Sequence, residues 1–202
     1  MTTTASSSKV RPALYRMAGC SALLVALFLW ATALSATAES DEDHRAPDVP
    51  AALQVPDGNK VSFHAYAVGV QIYVAAPSAA NPTTLVWTFK APEAVLFAAE
   101  EEDDDDAEVV GIHYAGPTWE SNSGSKVVGA RVAGVSVDPT AIPWLLLRAA
   151  STEGHGIFKR TTFVQRVNTT GGLAPATPPT QAGQEARVPY TADYYFFRAS
   201  QH

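Results

Sequence analysis

The sequence predicts an all-β protein, a single sandwich or barrel-like domain that follows an N-terminal signal segment. Three observations predict this fold class. β-branched and aromatic residues are concentrated in short stretches, apolar and polar residues alternate within them, and glycine or proline separates one stretch from the next. Many short strands joined by such turns are typical of a sandwich or barrel. We therefore expect no helix longer than about two turns after the signal segment.

The first predicted strand covers residues 60–75 and shows the alternation most clearly. Val70, Ile72 and Val74 recur at every second position, which is the spacing of side chains on one face of a strand. Gly69 indicates a bend or bulge inside this strand. Strands of the same texture are predicted over residues 85–90, 109–114, 126–137, 161–168 and 187–198.

Residues 144–150 are the one helix candidate in this part of the chain. Pro143 could start a helix, because proline fits the first helical position. The apolar run is short, however, and Gly154 and Gly156 then lead into another strand-like stretch. We therefore interpret residues 144–150 as a buried strand of a hairpin.

Residues 1–38 have the three parts of a secretory signal peptide. Residues 1–16 are basic and contain no acidic residue, an apolar run is densest over residues 22–30, and Ala36-Thr37-Ala38 matches the small-residue cleavage site. Cleavage after Ala38 predicts a secreted, extracellular protein. Two alternatives remain open. The segment is nearly long enough to anchor the chain in a membrane uncleaved, and its acid-free head also has the composition of an organelle transit peptide.

The remaining chain is interpreted as a flexible leader over residues 39–54 and one all-β domain over residues 55–198. An acidic loop interrupts this domain at residues 100–108, where eight of nine residues are Asp or Glu. In a calcium loop carboxylates alternate with other residues and a glycine makes the turn, whereas this run is an almost unbroken acidic block without glycine. The run therefore predicts a solvated, charged loop between two strands.

The charge and the cysteine content argue against a nucleic-acid partner and against disulfide bonds in the domain. The chain has a net charge of -6, and removal of Lys9, Arg11 and Arg16 with the signal takes three positive charges away and leaves -9. No nucleic-acid partner is expected, because such a protein needs a basic face. A membrane contact is expected only if the signal stays uncleaved. The single cysteine, Cys20, lies in the signal, so the domain depends on an apolar core without disulfides.

Four segments together resemble a known family. They are KVSFHAYAVGVQIY at residues 60–73, GIHYAGPTWE at 111–120 with GSKVVG at 124–129, AIPWLLL at 141–147, and QRVNTTGGLAP at 165–175 with VPYTADYYFF at 188–197. In this order they resemble domain-of-unknown-function family 3455, secreted proteins of bacteria and fungi. The resemblance covers about residues 55–198. It implies no particular activity, because none is established for the family.

His113 and Glu120 are the residues that an enzyme would use as base and acid. No complete motif accompanies them, since the chain lacks a G-x-S-x-G elbow, an H-E-x-x-H pair and a phosphate-binding loop. A secreted hydrolase or metal-dependent enzyme using these two residues is therefore one hypothesis. In the alternative, Glu120 forms a salt bridge with Lys126 across the intervening turn. We assign no catalytic residue, no metal and no other cofactor.

Aromatic residues near predicted turns favour a binding function. Exposed aromatic side chains of secreted β-domains stack on sugar rings or partner surfaces, although aromatic residues also fill cores. The leading hypothesis is a non-catalytic extracellular or cell-surface binding module, with a polysaccharide as its first candidate ligand. Tyr114 and Trp119 would stack on the ligand, and His113, Glu120 and Lys126 would supply polar contacts. A structural envelope protein is a third hypothesis.

Asn168-Thr169-Thr170 is an acceptor sequence for N-glycosylation. Gly171 and Gly172 follow it and indicate an exposed turn. Modification of Asn168 is predicted only for a eukaryotic source.

Overall fold

The computed structural model describes residues 45–98 and 108–200, where eight antiparallel strands form one closed, barrel-like sheet. This confirms the all-β prediction. The strands are β1 (Asn59–Pro77), β2 (Leu85–Phe97), β3 (Val109–Tyr114), β4 (Thr118–Ser121), β5 (Lys126–Val135), β6 (Trp144–Glu153), β7 (Thr161–Gly171) and β8 (Glu185–Ala199). The predicted signal, the start of the leader and most of the acidic loop lie outside the described residues. Within the described residues, no helix is long and apolar enough to cross a membrane.

Each strand pairs with the next strand in the chain, and β8 pairs with β1 to close the ring. The β1–β8 ladder runs from Asn59 opposite Ala199 to Val74 opposite Glu185. Because this ladder joins the first and last strands, the described sheet has no edge strand.

Side chains that alternate inward fill much of the ring. Ala65 and Ala67 of β1 are fully buried, and so are Tyr194 and Phe196 of β8. Removing this apolar surface from water is the main driving force for closing the sheet. The two-residue alternation that predicted the strands therefore also positions the core.

Gly69 permits a close strand approach and does not mark a bulge. Its register is regular with both neighbouring strands, and the nearest irregularity of β1 falls between Ile72 and Tyr73. A β-carbon at Gly69 would clash with the Glu93 carbonyl oxygen of β2. The register therefore contradicts a bulge at this glycine, while a bend there stays a prediction.

Of two further strands, β4 was missed in the sequence and β6 was predicted. Strand β4 was not predicted, because four residues are too few to show an alternation. Strand β6 confirms the strand interpretation of residues 144–150 and continues to Glu153. Leu146 and Leu147 are buried, whereas its last four residues are exposed. The core contacts of β6 therefore end at Ala149.

The end of the predicted leader contacts the sheet. Ala51–Leu53 forms one 3₁₀ turn, and the Leu53 side chain is fully buried. The Leu53 carbonyl accepts a hydrogen bond of 2.7 Å from Gln165 Nε2 on β7. Leu53 thus belongs to the folded domain, which begins before residue 55.

The two ends of the ring differ in how they are filled. The end with the β4–β5 and β6–β7 turns is called the closed end, and the end with the β3–β4, β5–β6 and β7–β8 turns is called the open end. At the closed end Phe158 is fully buried, with its ring centroid 4.4 Å from that of Phe196 and 6.1 Å from that of Phe63. The Phe158 amide also donates to Ser125 Oγ at 3.1 Å. Side chains therefore fill the closed end.

Candidate functional site

A cavity of about 440 Å³ lies inside the open end of the ring. Its buried lining residues include Gln71, Tyr73, His113, Trp119, Ile142, Leu147 and Tyr194, and its exposed lining residues are Phe89, Lys90, Gly116 and Arg131. The exposed residues define the mouth. Small-molecule sites in proteins typically have volumes of about 300–1,000 Å³, so the cavity is large enough for a ligand.

His113 and Trp119 form a stacked pair in the cavity wall. They face each other on β3 and β4, with ring centroids 4.5 Å apart and 9° between the ring planes. His113 Nδ1 donates to the Thr118 carbonyl at 2.8 Å. Burial lowers the pKa of His113 to about 3, so the ring is neutral at neutral pH. With the proton on Nδ1, Nε2 is the acceptor of this neutral ring.

Two side chains of the cavity lining have buried donors without a hydrogen-bond partner among the described residues. One donor is the indole Nε1 of Trp119, and the other is Nε2 of Gln71. The Gln71 amide approaches the Tyr190 hydroxyl and acts to lower its pKa, but burial is the larger effect and raises that pKa. An unpaired buried donor costs about 1–3 kcal/mol. An acceptor brought into the cavity could relieve that cost.

Arg166 of β7 contributes a positive charge to the same wall. Its Nε and Nη2 both donate to the Pro143 carbonyl, at 3.2 and 2.8 Å. It forms no ion pair with a carboxylate in the described part of the chain. Burial raises the pKa of Tyr73 and of Tyr194, whereas the nearby Arg166 charge acts to lower both. The guanidinium therefore acts electrostatically on several groups around the cavity.

The turn after β7 packs against residues of the cavity wall. Gly172 has a φ of +76°, which favours glycine, and its carbonyl accepts a hydrogen bond of 2.7 Å from the Tyr73 hydroxyl. A β-carbon at Gly172 would lie 3.0 Å from Ile142 Cγ2 and 2.9 Å from Tyr190 Cβ. Thr169 Oγ1 donates to the Ile142 carbonyl at 2.6 Å. These contacts hold the β5–β6 and β7–β8 turns together beside the cavity.

The five residues singled out from the sequence do not form one site. The interior holds His113 and Trp119, and the outer face holds Tyr114, Glu120 and Lys126. The Tyr114 hydroxyl donates to Glu120 Oε2 at 2.6 Å, and Lys126 pairs with Glu153 at 3.2 Å. The first contact raises the pKa of Tyr114, and the second raises the pKa of Lys126.

This placement contradicts both interpretations of Glu120 that were made from the sequence. Its expected salt bridge with Lys126 is replaced by the pairs just described. It also lies on the opposite face of the sheet from His113, so the two cannot act as acid and base on one substrate. Within the described residues, no group of three or more His, Cys, Asp or Glu is arranged to hold a metal ion.

A separate polar cluster lies on the outer face of β1, β7 and β8. Asp193 is only 2% exposed and binds His64 Nε2 and Asn168 Nδ2, each at 2.8 Å. The His64 ring stacks on Tyr195 with centroids 4.2 Å apart. Asn168 has a φ of +49°. The amide nitrogen that N-glycosylation would modify is thus bound to a carboxylate, and its glycosylation stays a prediction.

A family model described as a protein of unknown function (DUF3455) matches residues 56–198. The chain belongs to the DUF3455 family. The match confirms the resemblance seen in the sequence. It includes seven strands, all of β8 except Ala199, and every residue that lines the cavity. No curated protein and no solved structure matches the chain.

Several lining residues of this DUF3455 domain were missed from the sequence. They are Gln71, Tyr73, Arg131 and Arg166. For Arg166 a signal exists, because it lies two residues after Val164, which is fully buried in the core. A strand places such positions on the same face. An arginine in phase with a core valine could therefore have been recognised as an inward-facing cation.

Proposed function

We propose that this DUF3455 protein is a non-catalytic binding protein that holds a small, largely apolar molecule inside its open end. The observation that carries the proposal is the cavity. The closed end is filled by phenylalanine side chains, whereas about 440 Å³ remains at the other end of the same ring. Protein interiors contain few voids larger than a water molecule. A lined space of this size is therefore typical of a ligand site.

The lining favours a ligand with a substantial apolar part. Ile142, Leu145 and Leu147 contribute aliphatic surface to the cavity. Phe89 at the mouth is 52% exposed, and its ring meets that of Tyr73 edge to face with centroids 5.8 Å apart. Burying apolar surface contributes about 25 cal/mol per Å², so contact with this wall stabilises an apolar molecule.

A polysaccharide stacked on the outer surface has less support. Trp119, Tyr190 and Tyr194 are buried, so their faces are not available to a ligand outside the barrel. Tyr114 stays near the surface, with its hydroxyl bound to Glu120. The interior is therefore the better candidate site for a binding module.

Catalysis is not part of the proposal. His113 is neutral near neutral pH, because burial lowers its pKa to about 3. Among the described residues, no Asp or Glu lines the cavity and could act with it. The signal peptide predicted from the sequence would place the binding function outside the cell.

Uptake of an uncharged reporter tests the proposal. The dye N-phenyl-1-naphthylamine should gain fluorescence with the wild-type protein, and 1-decanol should displace it. Leu145→Trp fills part of the cavity and should weaken both ligands by about tenfold or more. Ile112→Trp adds the same side chain at an outer position that is 48% exposed, and it should leave both affinities unchanged.

Two results would contradict an interior binding site. One is the absence of dye uptake and of decanol binding by wild-type protein. The other is an equal loss of affinity in the two tryptophan variants, since only one of them reduces the cavity.

A further inference from the structure

We propose that the ligand is an amphipathic carboxylate, whose acid group is bound by Arg166 and whose apolar tail fills the cavity. This inference rests on the proposed function and names the ligand class. The first observation behind it is the sign of the charges in the lining. Lys90, Arg131 and Arg166 line the cavity, and no Asp or Glu of the described residues does. The chain as a whole is acidic, with a net charge of -6. The charged side chains of the cavity lining therefore have the opposite sign to the net charge of the protein.

The three cations are not equivalent. Lys90 pairs with Glu185 at 2.8 Å at the exposed mouth. Arg131 is exposed on β5, with its guanidinium against Gly134 of the same strand. Arg166 is partly buried and has no carboxylate partner among the described residues. Arg166 is therefore the cation for which an anionic ligand would supply the missing counter-charge.

The hydrogen bonds of Arg166 leave room for such a ligand. The Pro143 carbonyl accepts from Nε and Nη2, and a side-chain hydrogen bond joins Arg166 to Tyr194. A guanidinium has five N–H donors, so further donors stay available. These bonds to a main-chain carbonyl fix the side chain before any ligand binds. A fixed guanidinium binds a carboxylate well, because little side-chain entropy remains to be lost.

Partial burial strengthens the electrostatic effect of the Arg166 guanidinium. A cation that faces a largely apolar cavity is less screened than one in water. The effect is visible in four neighbours, since the Arg166 charge acts to lower the pKa of His113 and of three tyrosines, Tyr73, Tyr190 and Tyr194. A positive potential that reaches groups on β1, β3 and β8 also reaches the space between them.

Two other hydrogen-bond donors in the cavity lining could bind the same carboxylate. Trp119 Nε1 has no hydrogen-bond partner among the described residues, and Gln71 Nε2, whose amide also acts on the Tyr190 hydroxyl, forms no hydrogen bond of good geometry there. A carboxylate accepts several hydrogen bonds at once. The aliphatic wall formed by Ile142, Leu145 and Leu147 is left for the tail. An acid with an apolar chain therefore matches both parts of the lining.

Decanoate and 1-decanol test the ligand class, because they share a ten-carbon chain and differ in the charged group. Titration calorimetry at pH 7.5 should show wild-type protein binding decanoate about 10- to 100-fold more tightly than decanol, the effect of a charge-assisted hydrogen bond. Arg166→Gln should remove this preference, because it should weaken decanoate binding much more than decanol binding. Arg166→Lys should keep part of it. Arg148→Gln removes an exposed arginine from the outer position opposite Ala130 and should change neither affinity.

A measurement on wild-type protein covers the case in which the Arg166 variants fail to fold. The ¹³C resonance of carboxyl-labelled decanoate should titrate at a lower pH when bound than when free, because a nearby cation favours the carboxylate. An unchanged or raised carboxyl pKa would overturn the inference. Equal binding of decanol and decanoate would also overturn it, while the cavity would still stand as a binding site. If neither compound binds, the proposed function fails as well.

Discussion

The closed and open ends of this barrel are built from the same eight strands and differ in what the inward-facing side chains do. At the closed end Phe63, Phe158 and Phe196 fill the ring with centroids 4.4 to 6.2 Å apart. At the open end the inward positions include His113 and Arg166, and a cavity remains between them. The difference separates two roles. Apolar packing at one end stabilises the fold, whereas the other end keeps polar groups that stability alone does not require.

Truncation at the closed end should have the largest effect on stability. Phe158→Ala removes a fully buried ring and should lower the free energy of unfolding by about 3–5 kcal/mol. Ile157→Ala, at the adjacent 40% exposed position, should change it much less. Urea unfolding of both variants measures the difference. Affinity for decanol should be unchanged in either folded variant, and a loss below about 1 kcal/mol for Phe158→Ala would show that the closed end does not hold the fold together.

Acid should act on the open end through His113. Its pKa is lowered to about 3 in the folded protein and returns to about 6.5 on unfolding. Between these values the unfolded chain binds a proton that the folded chain does not, so stability falls as the pH falls from about 6.5 towards 3. The slope should approach about 1.4 kcal/mol per pH unit.

Urea unfolding of wild type and His113→Gln between pH 7 and pH 4 isolates this contribution. The carboxylates titrate in both proteins, so only the difference between the two curves belongs to His113. The wild-type protein should lose stability more steeply. Parallel curves would mean that His113 is not held neutral by burial.

Two glycines with similar backbone conformations should respond differently to a β-carbon. Gly172 and Gly58 have φ values of +76° and +84°, but a β-carbon at Gly172 would meet Tyr190 and Ile142, whereas none of the described atoms lies within 4 Å at Gly58. Both alanine variants carry the backbone strain. Gly172→Ala should cost about 1–3 kcal/mol more, from overpacking beside the cavity. Thermal unfolding compares them, and equal losses would contradict a tightly packed β7–β8 turn.

The strands were predictable from the sequence because two-residue alternation is a local property. Strand β4 was not, since four residues cannot show the pattern. Ring closure was also beyond local reasoning, because Asn59 pairs with Ala199 across nearly the whole domain. Closure depends on the sum of many side-chain contacts between distant segments, and no single stretch of sequence reports it.

The candidate site was predictable only in part. His113 and Trp119 were singled out, but as surface residues grouped with Tyr114 and Glu120. The alternation that predicted β3 already places neighbouring residues on opposite faces, and the structure confirms that separation. The cavity itself is lined by side chains from distant segments, from Gln71 of β1 to Tyr194 of β8. Such packing has no signature in local sequence.

The indole N–H resonances test occupancy of the open end most directly. Trp119 lines the cavity and its Nε1 has no partner among the described residues, whereas Trp87 donates to the Thr177 carbonyl at 2.9 Å outside it. Tryptophan-to-phenylalanine variants assign the two signals in ¹H–¹⁵N spectra. Added decanoate should shift the Trp119 signal and leave the Trp87 signal in place. An unchanged Trp119 signal at a decanoate concentration that saturates binding would contradict a ligand site inside the barrel.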